Sequence, residues 1–156
     1  MNVDRTLKGH ELFRSLGLDE AHGISDFSSV KNFHANEFVF KHNDYANHVY
    51  MMMKGSINLR LPASEKDISL VISRIEPGEL FGLSPLLDSP RYTASAQCRE
   101  DSEVLSIEAK PFRELLKRNY LTGFNVMNQV AHIYFERYID VLKNIQGVVN
   151  QISMIR

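Results

Sequence analysis

A chain of 156 residues with 44% hydrophobic and 24% charged residues has the size and composition of one folded domain and is too apolar for intrinsic disorder. Eighteen Lys and Arg against nineteen Asp and Glu leave a formal charge of −1, which excludes the bulk basic field of a nucleic-acid binder. No apolar run approaches the ~20 residues of a membrane span, and the opening MNVDRTLKGHELF lacks the apolar core of a secretory signal.

Residues 7–28 read as two short helices. Leu7, Leu12, Phe13 and Leu16 recur at roughly helical spacing, and Gly17 is placed to end the first helix. Asp19 suits the N-cap of a second helix carrying Ala21, Ile24 and Phe27. From Val30 to Ile107 the pattern changes to short segments rich in Val, Ile, Phe and Tyr: VKNF, FVFK, HVYMMM, SINLRL, ISLVISRI, YTASAQC and EVLSI. Turn residues separate them at Asn36, His42 to Asp44, Lys54-Gly55, Pro62 through Asp67, Pro77-Gly78 and Glu100-Asp101. Strands at this spacing predict an antiparallel β-roll or jelly roll. Alternation is clearest in SINLRL, where Ile57, Leu59 and Leu61 should face one way and Asn58 and Arg60 the other. The one cysteine, Cys98, excludes an internal disulfide and fits a reducing cytoplasm. On a strand it reads as a buried, inert thiol, and Met51 to Met53 read as core filling.

After Ile107 the helical period returns. Pro111 suits the first turn of a helix through FRELLKRN, and Thr122 the N-cap of a second reaching about residue 153. That helix would be roughly 45 Å long, more than the roll needs to cover itself. Met127, Ala131, Tyr134, Tyr138, Val141, Ile145, Val148 and Ile152 follow steps of four and three, the stripe of a two-stranded coiled coil. Phe135, Ile139, Leu142 and Val149 form a second stripe. Two apolar faces predict one contact with the roll and one with a second copy; the alternative is a single broad stripe packed within one chain. The expected whole is one domain over residues 1–156, mainly β with flanking helices (α+β). It comprises N-terminal helices at 7–28, a β-roll at 30–107 and C-terminal helices at 110–153 with a long dimerisation helix.

Residues 77–96, PGELFGLSPLLDSPRYTASA, concentrate the chemistry. Gly82 should leave room for a ligand to approach the backbone, with the amides of Leu83 and Ser84 free at the start of a short helix. Arg91 adds a fixed charge and a planar donor fork. Together these form an anion cradle.

The segment resembles the phosphate-binding cassette of cyclic-nucleotide-binding domains, the effector domains of Crp/Fnr regulators and kinase regulatory subunits. The resemblance covers roughly residues 10–150. EFVFKHNDYANHVYMMMKGSINLRL is similar to the leading strands, with Gly55 matching and Asn43-Asp44 where Gly-Asp is usual. PGELFG, PRYTASA, DSEVLSI and KPFRELL follow in the family's order. The resemblance implies a regulatory or sensory domain, signalling through its C-terminal helix, that binds cAMP or cGMP. The cyclic phosphate would meet Gly82, Leu83, Ser84 and Arg91, with Tyr92 and Thr93 beside it. Leu59 and Ile72 would line the base pocket, and Tyr134, Arg137 and Tyr138 would approach the purine from the helix.

One position departs from the pattern. The family's cAMP and cGMP binders place a Glu directly after the cassette glycine to accept the ribose 2′-hydroxyl; here Leu83 stands there. Losing such a bond costs about 1.5–3 kcal/mol. Two alternatives therefore stay open: a dimeric interaction module without ligand, or a binder of another small anion. Glu79 reads as a surface residue.

An enzyme reading fares poorly. A cupin would want a His-x-His pair, and the six histidines, at 10, 22, 34, 42, 48 and 132, supply none. No Gly-x-Ser-x-Gly elbow or Walker loop occurs, so no catalytic or metal-binding residue is expected. A helix-turn-helix domain would need on the order of 60 further residues beyond the long helix, and direct DNA binding is not expected. The expected partners are a second copy through the C-terminal helix, a small anionic ligand and another regulatory protein, with no membrane.

Overall fold

A computed structural model describes residues 7, 13, 18–62 and 69–154. Helix α1 (Leu18–Asp26) leads into strands β1 (Ser28–Phe33), β2 (Phe38–Phe40), β3 (His48–Lys54), β4 (Ile57–Leu61), β5 (Leu70–Ile75) and β6 (Leu80–Phe81). A 3-10 turn (Ser84–Leu87) precedes β7 (Ser95–Cys98), β8 (Ser102–Glu108) and helices α2 (Ala109–Arg118) and α3 (Tyr120–Met154). The strands form two antiparallel sheets, in the orders β1-β8-β3-β6 and β2-β7-β4-β5, a β-roll with flanking helices as the turn spacing predicts.

The near-continuous apolar run of β3 has a clear cause. Its sheet is covered on both faces, so both phases of the strand's two-residue period are buried. Tyr50 and Met52 point into the roll, where they meet Phe40, Ile57, Leu59, Phe81, Ala96 and Val104. Val49 and Met51 point outward to Ile24, Leu105, Ile107, Phe112, Leu116, Val126 and Val130. Met51 and Met52 thus serve opposite cores from adjacent positions. Cys98 is buried, and burial raises its thiol above the ordinary value.

Several local expectations change. The first N-terminal helix and Gly17 lie outside the described residues, although Leu7 and Phe13 are buried in the helix-covered core. Asp19 falls inside α1 and does not cap it. In β4 Ile57 and Leu59 are buried as expected, but Leu61, the last residue of the strand, is exposed; the register shift opposite Leu59 and Arg60 is taken up by Ile72 of β5. Thr122 does not cap the long helix either. Asn119 does: its side-chain oxygen accepts the amide of Thr122 at 3.0 Å, while its own amide closes α2 on Leu115 O at 2.9 Å. Thr122, one turn further on, is fully buried.

The face of α3 that packs on the molecule is neither predicted stripe. Val126 and Val130 enter the core with Ile133 against it, whereas Tyr134, Tyr138, Val141, Ile145, Val148 and Ile152 are exposed, as are Phe135, Leu142 and Val149. From residue 140 to residue 152 every position of α3 is exposed. No helix among the described residues is long and apolar enough to cross a membrane.

Candidate functional site

The cassette begins where β6 ends. Gly82 has φ +64°, and a Cβ placed on it would lie 2.8 Å from Tyr50 Cδ2 and 3.0 Å from Phe40 Cε1. The glycine is therefore required by a left-handed backbone and by rings that already fill the space beside it. Leu83 then starts the 3-10 turn, with Pro85 in its first positions and Asp88 closing it at φ 56°. Leu86 N donates to Leu83 O at 3.0 Å and Ser89 N to Ser84 O at 3.1 Å. From behind, Arg113 of α2 donates to Pro85 O at 3.2 Å and pairs with the Asp88 carboxylate, so the turn is fixed to the helix. No protein acceptor among the described residues takes the amides of Leu83 and Ser84.

In front of this turn lies a cavity of about 310 Å³ between the roll and α3. Gly82, Leu83 and Ser84 form one edge; Leu59, Ile72, Tyr92 and Thr93 come from the roll, and Tyr134, Arg137 and Tyr138 from α3. Phe40, Ala94 and Val141 also line it and were not singled out from the sequence. Val141 was legible as the next stripe position after Tyr138, and Ala94 as the neighbour of Thr93. Phe40 carried no signal beyond its place in a strand. A wider groove of about 580 Å³ lies on the other side of the cassette, along α2. It includes Arg113, whose guanidinium is already committed to Pro85 and Asp88.

Arg91 is the expected residue that the cavity does not include. Its Nη1 donates to Asn43 O at 2.7 Å, and its Cζ lies 4.1 Å from the centre of the Tyr45 ring. Tyr45 and Arg91 also form an isolated antiparallel bridge. A carbonyl and a ring of the same chain thus hold the guanidinium outside the cavity, where the sequence reading had it facing an anion. Asn43 sits at φ 72°, the conformation that suits the glycine usual at its place.

The roll side of the cavity is backed by stacked rings. Phe40 and Tyr92 lie 3.9 Å apart at 17°, Phe40 and Tyr50 5.6 Å apart, and Tyr50 and Phe81 5.3 Å apart. The Tyr92 hydroxyl donates to His48 O at 2.7 Å and accepts from His48 N at 3.3 Å, tying the column to β3. Burial pushes the phenol of Tyr92 well above the ordinary tyrosine value and raises that of Tyr50, so both are neutral.

The helix side is built differently. Arg137 is half-buried, with its Cζ 5.7 Å from the centre of the Tyr134 ring. Burial lowers its pKa, while the fields of Tyr134 and Glu79 raise it; a guanidinium remains protonated regardless. Glu79 itself accepts the amide of Glu76 at 2.7 Å. Among the described residues no carboxylate, histidine or cysteine lines the cavity, and no three His, Cys, Asp or Glu cluster as metal ligands would.

The comparisons with known proteins agree with this architecture. The chain is 28% identical over 128 residues to the cyclic AMP receptor protein of Thermus thermophilus, covering 80% of this chain and 57% of that protein. It therefore spans little more than half of that relative. Among solved structures, the sensor domain of the transcriptional regulator DNR from Pseudomonas aeruginosa superposes with a TM-score of 0.73 at 18% identity, covering 87% of this chain and 96% of that one. The regulatory domain of Toxoplasma gondii PKA, solved with cAMP, gives 0.63 at 18% identity, covering 72% and 42%. Residues 30–119, from the middle of β1 through the residue joining α2 to α3, match the family described as the cyclic nucleotide-binding domain, and with more than half of its length so matched the chain belongs to that family.

Proposed function

We propose that the chain is a non-catalytic effector-binding module of a regulatory protein. A small anionic ligand enters the cavity between the cassette and α3, and the long helix reports its presence through a second copy of the chain. The observation that carries this reading is that one cavity touches both the fixed 3-10 turn and exposed residues of α3. Tyr134, Tyr138 and Val141 line it and also lie on the heptad stripe, so an occupant that orders them alters the surface offered to the second helix. The shift between two helix arrangements is limited to the ligand's difference in affinity for them.

The cyclic nucleotides bound by the family are the first ligands to try. Leu83 supports a second reading, an interaction module that pairs through α3 without any ligand. A thermal-shift panel of cyclic nucleotides, other organic phosphates and carboxylates separates the two. A ligand at 100 times its Kd adds about 2.7 kcal/mol of stability, and the effector reading requires such a rise for at least one compound. A flat panel leaves the ligand-free module.

A further inference from the structure

Resting on the effector-binding reading above, we propose that the cavity takes a flat aromatic carboxylate, paired through its charge with Arg137 and through its ring with the cavity's tyrosines, in place of a ribose cyclic phosphate.

The charge sits on the helix wall. Arg91 is committed to Asn43 O and the Tyr45 ring, outside the cavity. Arg137 lines the cavity, half-buried beside the Tyr134 ring; the Glu79 carboxylate reaches it through its field, but among the described residues no acceptor is hydrogen-bonded to its guanidinium. A half-buried guanidinium with no hydrogen-bonded acceptor favours an anion, and its planar fork matches a carboxylate. Burial already weakens its hold on the proton, a cost that a bound anion would offset. The four-residue 3-10 turn is too short to add a comparable field.

Sugar recognition is what the cavity lacks. Among the described residues its side-chain oxygens belong to Ser84, Thr93 and three tyrosines, and the Tyr92 hydroxyl is already bonded to His48. Leu83, 3% exposed, follows Gly82 directly, so a sugar hydroxyl beside it would be buried without an acceptor. Rings are abundant instead. The stacked pair Phe40 and Tyr92 lies on the roll side, and Tyr134 and Tyr138 on the helix side. These surfaces suit the face or edge of an aromatic ligand. A volume of about 310 Å³ is at the small end of ligand pockets, which suits one or two fused rings with a short acidic arm.

Isothermal titration of the whole chain with benzoate, 2-naphthoate, indole-3-acetate, neutral 2-naphthamide, cAMP and cGMP tests this. At least one aromatic carboxylate should bind about tenfold or more tightly than 2-naphthamide and than either cyclic nucleotide. Arg137→Gln should weaken that binding about tenfold or more, Arg137→Lys should recover part of it, and Arg91→Gln should change it less than about twofold. Tightest binding by a cyclic nucleotide, with Arg91→Gln as the damaging change, would overturn the ligand class and leave the effector reading standing. A carboxylate and its amide bound alike, with Arg137→Gln silent, would overturn the pairing. Silence from every probe in both titration and thermal shift would overturn the ligand class and the effector reading together.

Discussion

The two walls of the cavity differ in how much of their structure this chain completes. The roll wall is finished: Leu59, Leu83 and Tyr92 are 4%, 3% and 4% exposed, backed by stacked rings and held by hydrogen bonds to β3. The helix wall is half-made: Tyr134, Tyr138 and Val141 are 38%, 59% and 49% exposed, and beyond them every position of α3 through Ile152 is exposed. A rigid face therefore confronts an adaptable one, the arrangement through which an occupant can change one partner without distorting the other.

Substitutions should separate the walls by size of effect. The largest loss is expected at Gly82→Ala, which combines a left-handed backbone with a Cβ 2.8 Å from the Tyr50 ring. The two penalties together come to about 2–4 kcal/mol by denaturant unfolding. A loss below about 1 kcal/mol would mean that the roll wall yields. Next is Tyr92→Phe, which leaves the half-buried His48 carbonyl without its 2.7 Å donor and should cost about 1–2 kcal/mol.

The same tyrosine sets an alkaline limit. Its phenol has a raised pKa in the fold and the ordinary value near 10 when unfolded, as does that of Tyr50. Above pH 10 the unfolded chain binds fewer protons than the folded one. Stability is therefore full below pH 10 and falls as pH rises further, by up to about 1.4 kcal/mol per pH unit for each group. Tyr92→Phe should flatten that slope, which pH-dependent unfolding will show.

The smallest effect on stability belongs to the helix wall. Tyr138→Ser should change unfolding in dilute protein by no more than about 0.5 kcal/mol. If the proposed pairing is correct, it should still weaken self-association measured by sedimentation. A large loss of stability in dilute protein would show that the helix wall is as finished as the roll wall.

Much of this was readable from the residues, for reasons that also mark where reading stops. The roll follows from period-two segments between turn residues, and β3's double burial shows even in its unbroken VYMMM. Much of the cavity's membership was readable: Gly82 to Ser84, Tyr92 and Thr93 come from the cassette and Tyr134 and Tyr138 from the heptad stripe, while Leu59, Ile72 and Arg137 were expected from the family resemblance alone. The contacts of Arg91 were not legible, because its partners, Asn43 and Tyr45, are remote in sequence and reach it only through strand pairing. The packing demand at Gly82 was not legible, because a glycine required by packed rings reads the same as one opened for a ligand. Thr122 and Asn119 are both good caps, and only the buried environment of the first decides between them.

Asn119 has a mechanical consequence. One residue both closes α2 and opens α3, and Val126 and Val130 then hold the first turns of the long helix in the core. Taken as a straight rod from Val130, α3 reaches Tyr138 after about 12 Å and Met154 after about 36 Å. A sideways displacement beside the cavity therefore arrives at the far tip about tripled, with the gain set by arm length and by no further chemistry.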